Sequence, residues 1–315
     1  MVKYRKRLPQ LQGAPFITDS GLETTLIFEE GLDLPHFAAF HLLQDKAGTE
    51  TLRQYFIRHA GIARHRRVGF ILESVTWRAN PDWGHKLGYG EQALATANRR
   101  AIALLTEIRR EMETPQSPMV ISGCIGPRGD GYDPGTAMTA AQAETYHATQ
   151  IKLLADTAAD QVTAITMTNT PEAIGITRAA RAAKIPAVIS FTVETDGRLP
   201  TGQPLGEAIE AVDAATDKGP AYYMTNCAHP THFRDTLADH RWMRRLRGIR
   251  ANASTRSHAE LDAATDLDAG DPLELGREYA AIRRRFPWVN VLGGCCGTDH
   301  RHIEQICTAC LEVTS

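Results

Sequence analysis

Three cysteines carry the strongest chemical signal in this chain. Cys227 lies in Thr225-Asn226-Cys227-Ala228-His229-Pro230, and Cys295 and Cys296 lie in Gly293-Gly294-Cys295-Cys296-Gly297-Thr298. Three thiolates form a soft donor set that suits zinc, and a three-ligand site leaves a fourth position open. Zinc lowers the pKa of a thiol bound to it. That is useful because a free thiol, with a pKa of about 8.5, is mostly protonated at neutral pH. Cys227 alone reads as a small buried residue, the usual fate of free cysteine. Gly-Gly-Cys-Cys-Gly does not read as packing. Successive side chains on a regular strand point to opposite faces, so adjacent cysteines rarely share an ion there. The flanking glycines are expected to relax that limit through unusual backbone angles. A disulfide between the vicinal pair is the competing reading, but it strains the backbone and suits a reducing compartment poorly.

Other reactive residues carry weaker signals. Cys307 and Cys310 share a face three residues apart inside a helical segment. A redox C-x-x-C belongs at a helix start after a strand, so this pair reads as packing. Cys124 follows a strand and also reads as packing. His229 and His232 rank below the cysteines as ligands and are candidates for supporting contacts. Trp77, Trp83 and Tyr89 are candidates for holding an onium group by cation–π attraction.

The elements that position these residues alternate. Apolar, β-rich runs occur at Ala14–Asp19, Val68–Glu73, Pro118–Ser122, Gln161–Met167, Pro186–Thr192, Ala221–Thr225, Leu246–Ala251 and Val289–Leu292. Segments of helical character lie between most of them: Thr51–Arg67, Glu91–Met112, Thr139–Asp160, Pro171–Ala183, Leu205–Lys218, Pro272–Phe286 and His300–Glu312. Short apolar strands suit a parallel sheet covered on both faces. Eight of them, most followed by a helix, close most simply into a single-domain (β/α)8 TIM barrel. A doubly wound open sheet ranks second, because no Gly-rich phosphate fingerprint follows the first strand. In the barrel, strands 6 and 8 end at one mouth, where the three thiols meet. Asn80–Gly90 and Gly126–Gly135 read as long irregular segments on that same face.

Composition sets the outer bounds. The 315 residues carry a net charge of −2 and are 43% hydrophobic, which gives no general pull toward nucleic acid. No apolar run is long enough to span a membrane. Residues 1–12 read as a basic, solvated N-terminal arm ahead of a barrel over 13–315, and no apolar signal stretch follows the basic Met1–Arg7. The expectation is a cytoplasmic protein whose cysteines are free thiols or metal ligands, with small-molecule partners and oligomeric state left open.

Taken together, these motifs resemble the homocysteine S-methyltransferases. The resemblance rests on Asn226-Cys227 and Gly293-Gly294-Cys295-Cys296-Gly297-Thr298, with Asp19-Ser20-Gly21, Glu23-Thr24, Gly123, Ile125-Gly126-Pro127, Ser190-Phe191-Thr192 and Asp196-Gly197-Arg198-Leu199. It implies a barrel whose three cysteines hold Zn2+ with the homocysteine sulfur in the fourth position. It also implies attack of that thiolate on a methyl group of a methylated cobalamin, carried by a partner protein, or of an onium donor such as S-methylmethionine, S-adenosylmethionine or betaine, giving methionine. Asp19 and Gly21 match the family's positions beside the bound amino acid. At the end of strand 4 the family has Glu-Thr, and the Glu serves the amino group; here Ile165-Thr166 stands in that place. Isoleucine cannot pair with an ammonium, and an unpartnered buried ammonium is costly. Glu73 and Glu194 are candidate substitutes, and Thr166, Asn169, Thr76 and Asn226 are further candidate contacts. Alternatives are another thiol or selenol as acceptor, a zinc-dependent lyase or hydrolase, or a non-catalytic zinc protein.

Overall fold

The computed structural model describes residues 2–311. Eight parallel strands close into a barrel in sequence order: β1 (Phe16–Ile17), β2 (Gly69–Glu73), β3 (Met119–Ile125), β4 (Gln161–Met167), β5 (Ala187–Thr192), β6 (Tyr222–Asn226), β7 (Leu246–Ala251) and β8 (Val291–Gly294). β8 returns to β1 through the register Phe16↔Val291 and Ile17↔Leu292. Seven main helices cover the outside: α1 (Lys46–Arg66), α2 (Glu91–Met112), α3 (Ala140–Ala155), α4 (Thr170–Ala182), α5 (Leu205–Thr216), α6 (Pro272–Arg285) and α7 (His300–Leu311). The expected end of the last helix, Glu312, lies outside the described residues, as do Met1 and the rest of the C-terminus. Between β6 and β7 the chain uses only the short helices Pro230–Phe233 and Arg241–Arg245. Asn80–Gly90 is not irregular throughout, because Asn80 caps a helix over Pro81–Lys86 by accepting from Trp83 N.

The period of two along each strand sorts the core. Phe70, Leu72, Met119, Ile121, Ile189 and Tyr223 join the layer between sheet and helices. The alternate residues Phe16, Ile71, Val120, Val188, Tyr222, Met224 and Val291 form a separate inner cluster. One or two steps further along each strand, that inner face turns polar: Glu73, Ser122, Ser190, Asn226 and Arg250 are all buried. The C-terminal end of the barrel is therefore polar inside, where βα-loop sites form.

The opposite end is closed by the N-terminal segment, whose basic Lys3, Lys6 and Arg7 are exposed while other parts of it turn inward. Leu8 packs into the inner cluster, and Gln10 is fully buried. Gln10 Nε2 donates to Gln161 Oε1 at 2.8 Å. The backbone amides of Lys3 and Tyr4 donate to Asp160 Oδ1 at 2.9 and 2.7 Å. Buried amide and carboxylate groups at the barrel floor need partners, and this segment supplies them.

Candidate metal centre and substrate pocket

The Gly-Gly-Cys-Cys-Gly motif works by close approach. A Cβ on Gly293 would collide with Thr18 Oγ1, and one on Gly294 with Thr298 Oγ1. Neither glycine has a positive φ; that falls to Gly297, at +77°. β8 ends at Gly294, and Thr298 N donates back to Cys295 O at 3.1 Å, so Cys295–Thr298 is a turn with glycine at its third position. The turn brings both cysteines to one site. The unusual backbone angle expected of the flanking glycines is thus met at Gly297, and Cys227 carries another, at φ +55°. Non-glycine residues pay for that region with strain and hold it only where neighbours impose it. Here Cys227 N donates to Arg250 O at 3.0 Å, while Cys227 O accepts from Asn252 Nδ2 at 3.0 Å and contacts His258 Nε2 at 2.6 Å. Replacing Gly294 by alanine is expected to destabilise the protein by about 1–3 kcal/mol through overpacking. A lowered melting temperature together with lost metal uptake checks it.

The three sulfurs lie within 4.8 Å of one another. Among the described residues they are the one group of three or more His, Cys, Asp or Glu close enough to share an ion. Cys227 and Cys295 are paired as a disulfide, and Cys296 is free. The expectation of free thiols is corrected for that pair, and the vicinal pair does not bond. The convergence that allows three sulfurs to share an ion also allows two of them to join. The surroundings fit a soft cation held by reduced thiolates. Asn226 Oδ1 accepts from Thr166 N at 3.0 Å and from Ser190 Oγ at 2.6 Å. That fixes the amide so that Nδ2 donates to Thr166 Oγ1 at 2.9 Å and to Cys227 Sγ at 3.1 Å. Tyr132 Oη lies 3.7 Å from Cys296 Sγ. Outer hydrogen-bond donors of this kind orient anionic ligands.

A pocket partly open to solvent holds all three cysteines together with Asp19, Gly21, Glu23, Glu73, Trp77, Cys124, Tyr132, Ile165, Thr166 and Arg250 among its walls. Asp19, Gly21, Glu73 and Thr166, four of the candidate contacts, thus share this wall with the cysteines. Thr76 and Asn226 are buried behind the wall: Thr76 Oγ1 donates to Cys124 O at 2.7 Å, and Asn226 holds Cys227 and Thr166. Thr166 has φ +64° at a register shift in β4 between Ala164 and Met167. Glu194 is not in the wall; it lies 3.0 Å from His258 Nδ1.

The charges in the pocket are unevenly matched. Asp19 pairs with Arg250 at 2.9 Å, and Tyr55 Oη donates to Asp19 Oδ2 at 3.3 Å. Burial raises the Asp19 carboxyl and Arg250 pulls it back. Burial works against the Arg250 cation, but Asp19 and Glu73 outweigh it and its pKa is raised. Glu73 and Glu23 form no ion pair among the described residues. Burial pushes each of them to about 7. Glu73 is 7% exposed, and its Oε1 has no hydrogen-bond partner among the described residues. Arg250 and Glu23 were given no role from sequence. Arg250 did carry a signal, as one of two arginines, with Arg247, in the β7 run Leu246–Ala251.

Of the weaker candidates Trp77 is in the pocket wall, and most others fall outside the site. Trp83 has Arg78 at 3.7 Å and Lys86 at 3.8 Å from its ring centre, so its own chain supplies its cations. Tyr89 bonds Gln44 and lies 3.0 Å from His41 Nδ1. Trp77 lines the pocket, with Arg78 3.9 Å from its ring centre. His229 caps the helix Pro230–Phe233, and His232 Nε2 lies 2.8 Å from Thr255 O. Cys307 and Cys310 are core residues, and burial pushes their thiols up to about 12 and 11.

Among the described residues no helix is long and apolar enough to cross a membrane. Similar solved structures are those of the homocysteine methyltransferase MmuM from Escherichia coli. Its metallated form has a TM-score of 0.72 at 17% identity over 97% of this chain and 99% of that one. Its oxidized form has a TM-score of 0.70 at 18% identity over 99% and 100%. Likeness at this identity speaks for the fold. No curated protein sequence matches the chain significantly. The homocysteine S-methyltransferase family profile matches residues 16–310, from β1 into α7. With the profile spanning the whole barrel and its thiol-lined mouth, this chain belongs to the homocysteine S-methyltransferase family of methyl-transferring enzymes.

Proposed function

We propose that this enzyme moves a methyl group from an onium donor, such as S-methylmethionine, S-adenosylmethionine or betaine, to the thiol of homocysteine, giving methionine. The observation that carries the reading is the convergence of Cys227, Cys295 and Cys296 in one pocket. As reduced thiolates they would hold zinc, which when bound supplies the Lewis acidity that keeps an acceptor thiol deprotonated at neutral pH. The chain's own residues do the rest. Asn226 steadies the Cys227 sulfur. Gly21 keeps the floor open, since a Cβ there would strike Cys295 O and Thr24 Oγ1. Asp19 is largely neutralised by Arg250 and serves to hold that cation in place. Glu73 takes the acceptor's ammonium in place of the acid absent at Ile165. Its supporting observation is the buried carboxylate oxygen left without a partner at the pocket wall. Thr166, on the same wall, offers a hydroxyl. Bringing thiol and methyl donor together in this pocket contributes through proximity and orientation.

The test joins metal analysis to an assay. Reduced protein is expected to hold about one zinc per chain, and oxidised protein close to none, because the Cys227–Cys295 disulfide removes two ligands. The reduced, loaded enzyme is then given homocysteine with each donor in turn. Methionine formation with at least one donor supports the reading. Methyl transfer to other thiols or selenols but not to homocysteine would move the acceptor assignment, as Ile165 in the wall suggests. Absence of zinc from reduced protein overturns the metal assignment.

A further inference from the structure

The loop after β3 crosses the barrel mouth and is held there from several sides. Trp83 Nε1 and Arg78 Nη1 donate to Gly129 O at 3.2 and 3.1 Å, and Asn80 Nδ2 donates to Pro127 O at 3.1 Å. Arg128 N donates to Glu172 Oε1 at 2.8 Å. A Cβ on Gly131 would press on Thr166 Cγ2 at 3.0 Å and on Trp77 at 3.1 Å, so the loop backbone lies directly against two walls of the pocket. Asp130 Oδ1 then accepts from Tyr132 N at 2.8 Å, turning the chain and directing the tyrosine across to the β7 and β8 side.

There Tyr132 meets the turn after β8 and the short helix after β7. Its ring stacks on His258 with centroids 4.0 Å apart and planes 24° apart. Its hydroxyl reaches Cys296 Sγ at 3.7 Å, within range for a bond to sulfur. His258 in turn lies 2.6 Å from the carbonyl of Cys227 and 3.0 Å from Glu194. One aromatic pair therefore touches the side chain of one cysteine and the strained backbone of another, on turns 69 residues apart.

We infer that Tyr132 is a positioning residue of the metal centre: its hydroxyl donates to the Cys296 thiolate, and its stack on His258 sets the position of that ligand relative to Cys227. A bare thiolate has several orientations open to it, and an outer donor selects one. The inference rests on the proposed metal assignment.

The experiment uses reduced full-length protein, wild type and Tyr132→Phe, loaded with Co2+ and with Zn2+. Chelator competition gives metal affinity, and the thiolate-to-Co2+ charge-transfer band reports the environment of the sulfurs. Tyr132→Phe keeps the ring stack and removes only the hydroxyl. It is expected to bind one metal with affinity weakened about 10- to 100-fold and with a shifted charge-transfer band. A role limited to packing would move neither readout. His258→Phe keeps an aromatic surface and removes the contact to Cys227 O; it is expected to weaken affinity in the same range. Superimposable Co2+ spectra and affinities within twofold for wild type and Tyr132→Phe overturn the inference alone. Wild type that takes up no metal overturns the metal assignment and this inference with it.

Discussion

Cys296→Ser is expected to abolish stable zinc binding and to lower methyl transfer by about 10³-fold, while leaving the fold intact. The fold survives because Cys296 sits in a turn beyond the end of β8 and is only partly buried. The activity does not, because hydroxyl oxygen is a poor partner for a soft cation and two thiolates do not complete the site. The size follows from two effects. Lewis-acid assistance is worth several kcal/mol, and each 1.4 kcal/mol or so is about tenfold in rate. In addition, a free thiol of pKa about 8.5 is only about 3% ionised at pH 7. Metal content by mass spectrometry and turnover at pH 7 check both parts. A variant that keeps stoichiometric zinc and wild-type turnover would remove Cys296 from the ligand set.

Glu73→Gln separates acceptor recognition from stability, and the two should move in opposite directions. Glu73 is buried and forms no ion pair among the described residues, and burial raises its carboxyl to about 7 from an ordinary 4.5 against the pull of Arg250. Between those values the folded state binds a proton that the unfolded state has released, so stability falls as pH rises through the interval. Below about 4.5 both states are protonated and the group contributes nothing. Glutamine mimics the protonated form. The variant should match wild type at pH 4 and be more stable at pH 8 by roughly 3 kcal/mol. Its acceptor binding should suffer, because a lost buried charge pair costs about 2 kcal/mol or more, some 30-fold in KM for homocysteine. A thiol of the same length without the amino group should show no such change. Acceptor affinity in wild type should rise with pH through about 7, as Glu73 ionises to meet the ammonium. Equal melting temperatures at pH 8, or equal KM values for homocysteine, would show that Glu73 is not an unpaired acid at the amino group.

The barrel was legible in the sequence because eight apolar runs separated by helical segments leave little choice of closure. The β4 run Gln161–Met167 and the β7 run Leu246–Ala251 match the observed strands residue for residue. The cysteine convergence was legible for the same reason, since strand ends in such a barrel share one mouth. What escaped was set by contacts between distant segments. The basic N-terminal residues gave no sign that Gln10 and the backbone amide of Lys3 serve Asp160, Gln161 and Tyr222 at the barrel floor. The role of Gly293 and Gly294 was misassigned to backbone angles because only the fold shows Thr18 and Thr298 lying against them. Tyr132 and His258 lie 126 residues apart, and no spacing rule links them.

The closure of the barrel floor bears on how the molecule assembles. The Lys3 and Tyr4 amides reach a carboxylate more than 150 residues away, and Asn290 Nδ2 reaches back to Gln10 O and Ala14 O across 280 and 276 residues. None of these bonds can form until β4 and β8 are in place, so this segment is among the last to settle. Deuterium labelling during refolding should find its amides protected only after the helices. At the other end of the molecule the thiol-lined mouth stays clear of it. A tether fixed to the first residues would therefore hold the enzyme on a surface with its pocket facing outward.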